Sequence, residues 1–547
     1  MSFKPLLAVT VLLAGIGATP ATAAKRDFET CDNLRAPGDG ASGMGAALST
    51  SGFNFGASVA ALPDGAPVLI AACTAALADP RLLPAQALRR SHLLRARAVA
   101  QLQKGDPDAA LADVDAALAA AGPLAADPLF ARSMGGSFEL IRAAAHQAKG
   151  DRAEARRWVA AAAARRPYSV TIQSLAAIIA QKSRDPAAPA PAAYLPLIPL
   201  IPDAVKLQFI SDIEAGRFAD AAALHPRLKL APPAGLGFNV NALVEPIVVA
   251  ANAGYAFAAT GRPARATAIM AEAKAALETL LAPPPPDPKG KPVLGVGAMI
   301  GDPLRAFYAR NAKLVEARIA VAEQRPLDAL KLLVGSELPV SASSVELLTA
   351  LRAALPADTR ALAPDPAQLE TRLAEQRRKD TLDTAALRKG LAAPETQRTM
   401  ADYEKSTGNF LRSLFVGGAK SDGFKDKTDD KTGITTVQFV GNSGSAPTVE
   451  ELTLLRAAEL AKAAGKPGLI IVARRDYTRT LNMTRGYSAI PISSTPAGFQ
   501  TELDVRFVDP AALPPELASE RDRVLDAARI YATLAPVYIP PVARSAK

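Results

Sequence analysis

Cysteine occurs twice and histidine three times in this chain of 547 residues, so the usual ligands of structural and catalytic metals are nearly missing. His92, His146 and His225 are scattered, and neither Cys31 nor Cys73 has a partner at ligand spacing. No metal site and no cofactor is expected. Aromatic residues make up 5 % of the chain, with one tryptophan. That is too few to interleave with the basic residues as stacking platforms, so the net charge of +10 does not point to nucleic acid. After the first two dozen residues no run reaches the roughly 18–20 apolar residues of a spanning helix, and Leu195–Ile201 is short and broken by proline. A phosphate loop, a nucleophile elbow and a His-Glu metal helix are all missing. Gly38-Asp39-Gly40-Ala41-Ser42-Gly43 has the dinucleotide spacing, but no strand precedes it and it reads as a coincidence in a Gly-rich loop. No catalytic residue is assigned, and the expectation is a protein that is not an enzyme.

The amino terminus is informative. Lys4, the apolar stretch Leu6–Ile16 and the small residues Ala21-Thr22-Ala23 or Thr22-Ala23-Ala24 have the three parts of a secretory signal over residues 1–24. An exported, periplasmic protein follows. Cys31 lies beyond any cleavage point, without the small-residue approach of a lipoprotein signal, so no lipid anchor is expected. In an oxidising compartment the isolated pair Cys31 and Cys73 is most simply a disulfide; two separate buried thiols are the alternative. The bridge would close a loop of about 42 residues, for which chain entropy gives roughly 3–4 kcal/mol.

A phrase then repeats. Gly105-Asp106-Pro107-Asp108-Ala109-Ala110 returns as Gly150-Asp151-Arg152-Ala153-Glu154-Ala155, as Gly216-Arg217-Phe218-Ala219-Asp220-Ala221 and as Gly261-Arg262-Pro263-Ala264-Arg265-Ala266. Each is a tight turn into an alanine-lined helix, and such repetition marks stacked helical hairpins. The expected fold is mainly α, a helical-hairpin solenoid followed by a small α+β domain. Pro/Ala-rich residues 183–202 separate a first segment, 25–182, from a second repeat group, 203–355, which contains the proline-rich spacer 283–292. A helical connector and a charged loop cover 356–432, with Ala419–Gly433 read as solvated loop, and the α+β domain covers 433–540.

Ala143, Gly150, Ala155, Ala162 and Pro167 form the fullest copy, and Ala98, Gly105, Ala110 and Ala117 another. Gly254, Gly261, Ala266 and Ala273 form a third; a degenerate copy has Gln324 in place of the turn glycine and keeps Ala329. This pattern resembles tetratricopeptide repeats. The resemblance implies a concave surface lined by the first helix of each hairpin, which would place His92, Arg95, Gln147, Tyr255, Asn311 and Arg318 in contact with a protein or peptide partner.

From Gly433 the periodicity changes to a strand (Ile434–Val440), a helix (Pro447–Ala464), a strand (Leu469–Ala473), a strand (Phe499–Val508) and a long helix from Pro515 to about Leu534. The runs Val437–Ser443, Leu454-Leu455-Arg456-Ala457-Ala458-Glu459-Leu460 and Ile471–Asp476 resemble a small uncharacterised bacterial envelope domain, usually met as a short lipoprotein. The resemblance implies an envelope location and directs attention to Asn442, Ser443, Arg456, Glu459, Arg475 and Asp476. Arg456 and Glu459 also suit a simple i, i+3 helix pair.

Together these point to a periplasmic adaptor that captures a protein or peptide segment. A binder of anionic cell-wall or surface glycan, using Arg89, Arg90, Arg156 and Arg157, is the second expectation. A hydrolase seated in the carboxy-terminal domain is the third.

Overall fold

The computed structural model describes residues 25–38, 40, 42–44, 65–184, 193–228, 240–283, 295–379, 384, 387–388, 391, 423–441, 445–484 and 491–539. The fold is mainly α, with a five-stranded sheet near the carboxy terminus. The chain divides into two compact units, residues 1–126 with 481–495, and residues 127–480 with 496–547.

The first unit contains α1 (Lys25–Asp32), α2 (Gly65–Ala78), α3 (Ala87–Lys104) and α4 (Pro107–Ala121). Cys31 and Cys73 are joined in a disulfide between α1 and α2. Around it Phe28, Ala76, Leu82 and Leu93 form a small core. Helix α4 with the turn after it, Pro107–Ala126, is long and apolar enough by length and composition to cross a membrane. Here it buries Ala110, Val114 and Ala117, and Asp113 holds Arg97 of α3 at 2.6 Å.

The second unit continues with α5 (Gly136–Ala148), α6 (Arg152–Arg165), α7 (Val170–Lys182), α8 (Ala204–Glu214), α9 (Phe218–Leu224), α10 (Val240–Ala259) and α11 (Pro263–Leu281). Then come α12 (Val296–Ala322), α13 (Pro326–Leu333), α14 (Ala342–Ala354) and α15 (Pro366–Lys379). Helices α5 to α7, grouped by sequence with the first repeats, therefore belong to the second compact unit.

The sequence repeat is a repeated turn. Gly105, Gly150, Gly216 and Gly261 all have φ between 76° and 85°. In each, the residue after the glycine donates its N–H to a carbonyl five positions back, as Asp106 does to Gln101 and Asp151 to His146, both at 2.9 Å. This left-handed closure satisfies carbonyls at the helix end and favours glycine because a Cβ is strained there. Asp106 and Asp151 then cap the second helix by accepting from the N–H groups of Ala109 and Glu154. The alanine five residues past the turn is fully buried each time: Ala110, Ala155, Ala221, Ala266 and Ala329 are all 0 % exposed. A larger side chain would push the two helices apart. Gly254 serves the same purpose between α10, α11 and α12, since a Cβ there would lie 3.1 Å from Val315 and 3.2 Å from Met270.

In the degenerate hairpin α12–α13, Gln324 holds the left-handed turn with φ of 60°. Gln324→Gly is expected to raise stability by about 0.5–1 kcal/mol by removing Cβ strain, less the entropy that glycine loses on folding. A urea titration that shows no gain or a loss would refute this.

The α+β domain is β1 (Gly423–Asp429), β2 (Ile434–Gly441), α16 (Ala446–Ala463), β3 (Gly468–Thr484), β4 (Pro491–Val508), β5 (Leu525–Asp526) and α17 (Ala527–Tyr538), with strand order β1-β2-β4-β3-β5. Two expectations are corrected. Residues 423–429, read as solvated loop, form strand β1, antiparallel to β2 through register Phe424↔Phe439 and Thr428↔Thr435. Its Lys/Asp alternation is that of a charged edge strand. The long helix from Pro515 is broken: Pro515–Arg523 is a 3-10 helix, Leu525 and Asp526 pair with Leu469 and Gly468, and α17 starts only at Ala527. Asp526 caps it, accepting from the Arg529 N–H at 2.9 Å. Backbone pairing with the sheet outweighs local helix propensity there.

Candidate functional site

Within the second unit a cleft of about 790 Å³ opens between the ends of helices distant in sequence. That is in the range of ligand-binding pockets. The apolar part of its lining includes Ile178 of α7, Phe218 of α9, Val345 of α14 and Leu373 of α15. The hairpin turn at Gly216 brings Glu214 and Phe218 to the same wall.

A chain of hydrogen bonds fixes the polar part. Tyr194 donates to Gln181 at 3.0 Å, and Gln181 donates to the Glu214 carboxylate at 2.9 Å. Arg377 reaches from α15 to the Glu214 carbonyl oxygen at 2.7 Å. Burial, together with the neighbouring Arg184 guanidinium, pulls the Arg377 pKa down to about 10, and Glu214 opposes this. Burial and Glu214 push the Tyr194 phenol up. Glu346 of α14, also in the lining, receives Arg318 at 3.0 Å and the Tyr255 hydroxyl at 2.5 Å. Tyr255 also lies 2.5 Å from the Ser343 carbonyl oxygen, and burial holds its phenol well above the usual range.

Two of the residues placed on the concave surface by sequence, Tyr255 and Arg318, thus converge on a cleft-lining carboxylate from behind. Tyr255 is 1 % exposed and does not itself face the cleft. Asn311 donates to the Phe307 carbonyl of its own helix, and Gln147 sits half-buried at the end of α5. His92 and Arg95 lie in the other unit, buried with Arg89 and Asp32. Arg95 and His92 are 3.0 Å apart, and Arg89 meets Asp32 at 2.9 Å. Burial, with Arg95 and Arg89 close by, holds His92 well below its ordinary pKa and therefore neutral. Burial pushes Asp32 up to about 7 against the pull of Arg89. The cluster ties α1 to α3.

The arginines expected to form a basic face are mostly spent internally. Arg89 is fully buried, Arg90 donates to the Leu77 and Leu82 carbonyls, and Arg156 donates to Ser183. Arg157 is exposed and paired with Glu154.

In the α+β domain Asn442 and Ser443 lie outside the described residues. Arg456 bonds Asp426 of β1 and Glu459 of its own helix and covers the Phe424 ring at 4.3 Å. Arg475 crosses to Glu502 and Asp504 on β4, and Asp476 accepts from Arg474 and Thr501. These residues hold the sheet and helix together rather than converging on one point.

The sequence reading missed a second polar centre, built on Glu450 and Glu451 of α16. Glu451 is fully buried and receives Arg132 at 2.7 Å, Arg166 at 3.0 Å and the Tyr538 hydroxyl at 2.5 Å. Burial would raise the Glu451 carboxyl, but Arg166 and Arg132 outweigh it and hold the group below its ordinary value. Glu450 accepts from Ser169 at 2.7 Å and Thr171 at 2.6 Å at the start of α7. Leu200 enters the core between sheet and helices, with Tyr168 and Val170 against it. A signal existed: Glu451 lies three residues after Thr448 and four before Leu455, on the helix stripe that should be apolar. Among the described residues no group of three His, Cys, Asp or Glu side chains could hold a metal ion.

No family model matches the chain, and neither curated proteins nor solved structures give a match.

Proposed function

We propose that this protein is an exported adaptor of the bacterial envelope, with tetratricopeptide-like hairpins, that captures a peptide segment of a partner protein in the cleft between α7, α8, α14 and α15. The observation that carries the reading is the cleft lining. It combines apolar surface (Ile178, Phe218, Val345, Leu373) with fixed hydrogen-bonding groups (Gln181, Glu214, Arg377). Extended backbone needs that combination, because each peptide unit presents a donor and an acceptor beside a side chain that seeks burial. The signal-like amino terminus and the disulfide fit an oxidising compartment.

A photo-crosslinking residue at Ala374, an exposed cleft position, tests this in cells, with exposed Ala361 outside the cleft as control. Mass spectrometry is expected to find one discrete envelope-protein segment joined to position 374 and not to 361. Glycan adducts, or equal labelling from both positions, would refute the adaptor reading and favour a cell-wall binder.

A further inference from the structure

Resting on that peptide-capture reading, we propose that Glu346 accepts a hydrogen bond from a backbone N–H of the captured segment, beside a side chain seated on Phe218. Tyr255 is then the positioning residue that sets the two groups. Glu346 and Phe218 both line the cleft, with Ala215, Gly216 and Ala342 in the same lining. The turn at Gly216 abuts the start of α14, where a Cβ on the glycine would meet the Ala342 Cβ at 3.9 Å. Lining residues that small let a peptide backbone approach closely.

The carboxylate has acceptor capacity to spare. The Arg318 Nε–H is shared between Oε2 at 3.0 Å and Oε1 at 3.2 Å, and a terminal Arg318 nitrogen donates to Oε1 at 3.0 Å. The Tyr255 hydroxyl donates to Oε2 at 2.5 Å. Those three protons face about four lone-pair sites, so room for one more donor remains. The Glu346 side chain is 30 % exposed in the cleft, against 10 % for Arg318 behind it. Arg318 also cancels the Glu346 charge. The other charged lining residues are Arg152, Lys182, Arg184 and Arg377 against Glu214 and Glu370, an excess of positive charge. A ligand cation is disfavoured there, whereas a neutral N–H is not.

Tyr255 ties the polar group to the apolar one. Its ring packs on Phe218 with centroids 5.2 Å apart, while its hydroxyl holds Glu346. At 1 % exposed, it does so from behind the lining. In an extended segment the spacing of a backbone N–H from the neighbouring side chain is fixed, and one buried tyrosine holds both groups that read it.

The test lays the full mature chain over an array of hexapeptides that carry one Leu, Ile, Val or Phe among Ala and Ser. The tightest-binding hexapeptide is remade with each backbone N–H in turn replaced by N–CH3, and fluorescence anisotropy measures every copy. Methylation next to the apolar residue is expected to weaken binding roughly ten- to a hundred-fold. In Glu346→Gln the loss at that one position should shrink to a few-fold, because a neutral amide oxygen accepts more weakly. Tyr255→Phe keeps the ring on Phe218 and should shrink the same loss in part. An unchanged thermal unfolding curve shows that each variant is folded. Methylation losses that neither variant changes at any position mean that Glu346 is structural only, and overturn its assignment while peptide capture stands. Tighter binding of a Lys-bearing copy that Glu346→Gln abolishes shows a cation at the site and overturns it equally. No hexapeptide bound overturns both readings.

Discussion

Glu451→Ala is expected to destabilise the second unit by about 3–5 kcal/mol, because it leaves Arg166 and Arg132 buried without their counter-charge. Arg166 is fully buried in the folded state and Arg132 largely so, and alanine offers neither a counter-charge. Glu451→Gln should cost less, since an amide oxygen still accepts from Tyr538. Trp158, the sole tryptophan, lies on α6 and reports the transition by its fluorescence in urea. A midpoint shift equivalent to under about 1 kcal/mol, the range of an exposed ion pair, would show that the pair is not buried as described.

The same residue sets a pH dependence. Its folded pKa lies below the ordinary carboxylate value of 4.5. Its contribution is therefore complete above pH 4.5 and is lost as pH falls through the folded value. The wild type should lose stability over that acidic range, and Glu451→Gln should lack that share of the loss. The α+β domain consequently is not a module hung on the repeats. Its core takes in Leu200, and its helix is held by Arg132, Arg166, Ser169 and Thr171.

Removing the disulfide is expected to be comparably severe. The bridge closes 42 residues between Cys31 and Cys73, and constraining a loop of that size contributes about 3–4 kcal/mol in the chain-entropy account. The core it joins is small, with Phe28, Ala76, Leu82 and Leu93 around the two sulfurs, so little else can compensate. Cys31→Ser with Cys73→Ser should speed amide hydrogen exchange throughout α1 and α2. The Arg89–Asp32 pair should keep α1 partly attached to α3. Exchange in α1 and α2 as slow as in the oxidised wild type would show that the bridge contributes little.

Local rules were legible where a residue answers to its own neighbourhood. The glycines of the repeated phrase all take the left-handed turn, and the alanines five residues on are all fully buried. Strand β2 and helix α16 lie within one residue of where periodicity put them. Strand β1 was missed because an edge strand shows charge on the face that would otherwise reveal alternation. The helix after Pro515 was overextended because pairing with Gly468 and Leu469 is invisible locally.

The sequence by itself determined the hairpins, since the turn needs positive φ and close helix contact needs a methyl-sized side chain, and both demands fall on single residues. Only the tertiary structure decided what faces what. It turned Arg89 and Tyr255 inward, set Glu451 against two arginines, and brought Arg184, Glu214 and Arg377 to one cleft. Burying a charge is favourable only when its partner arrives with it, and those partners come from helices that meet only after the chain has folded.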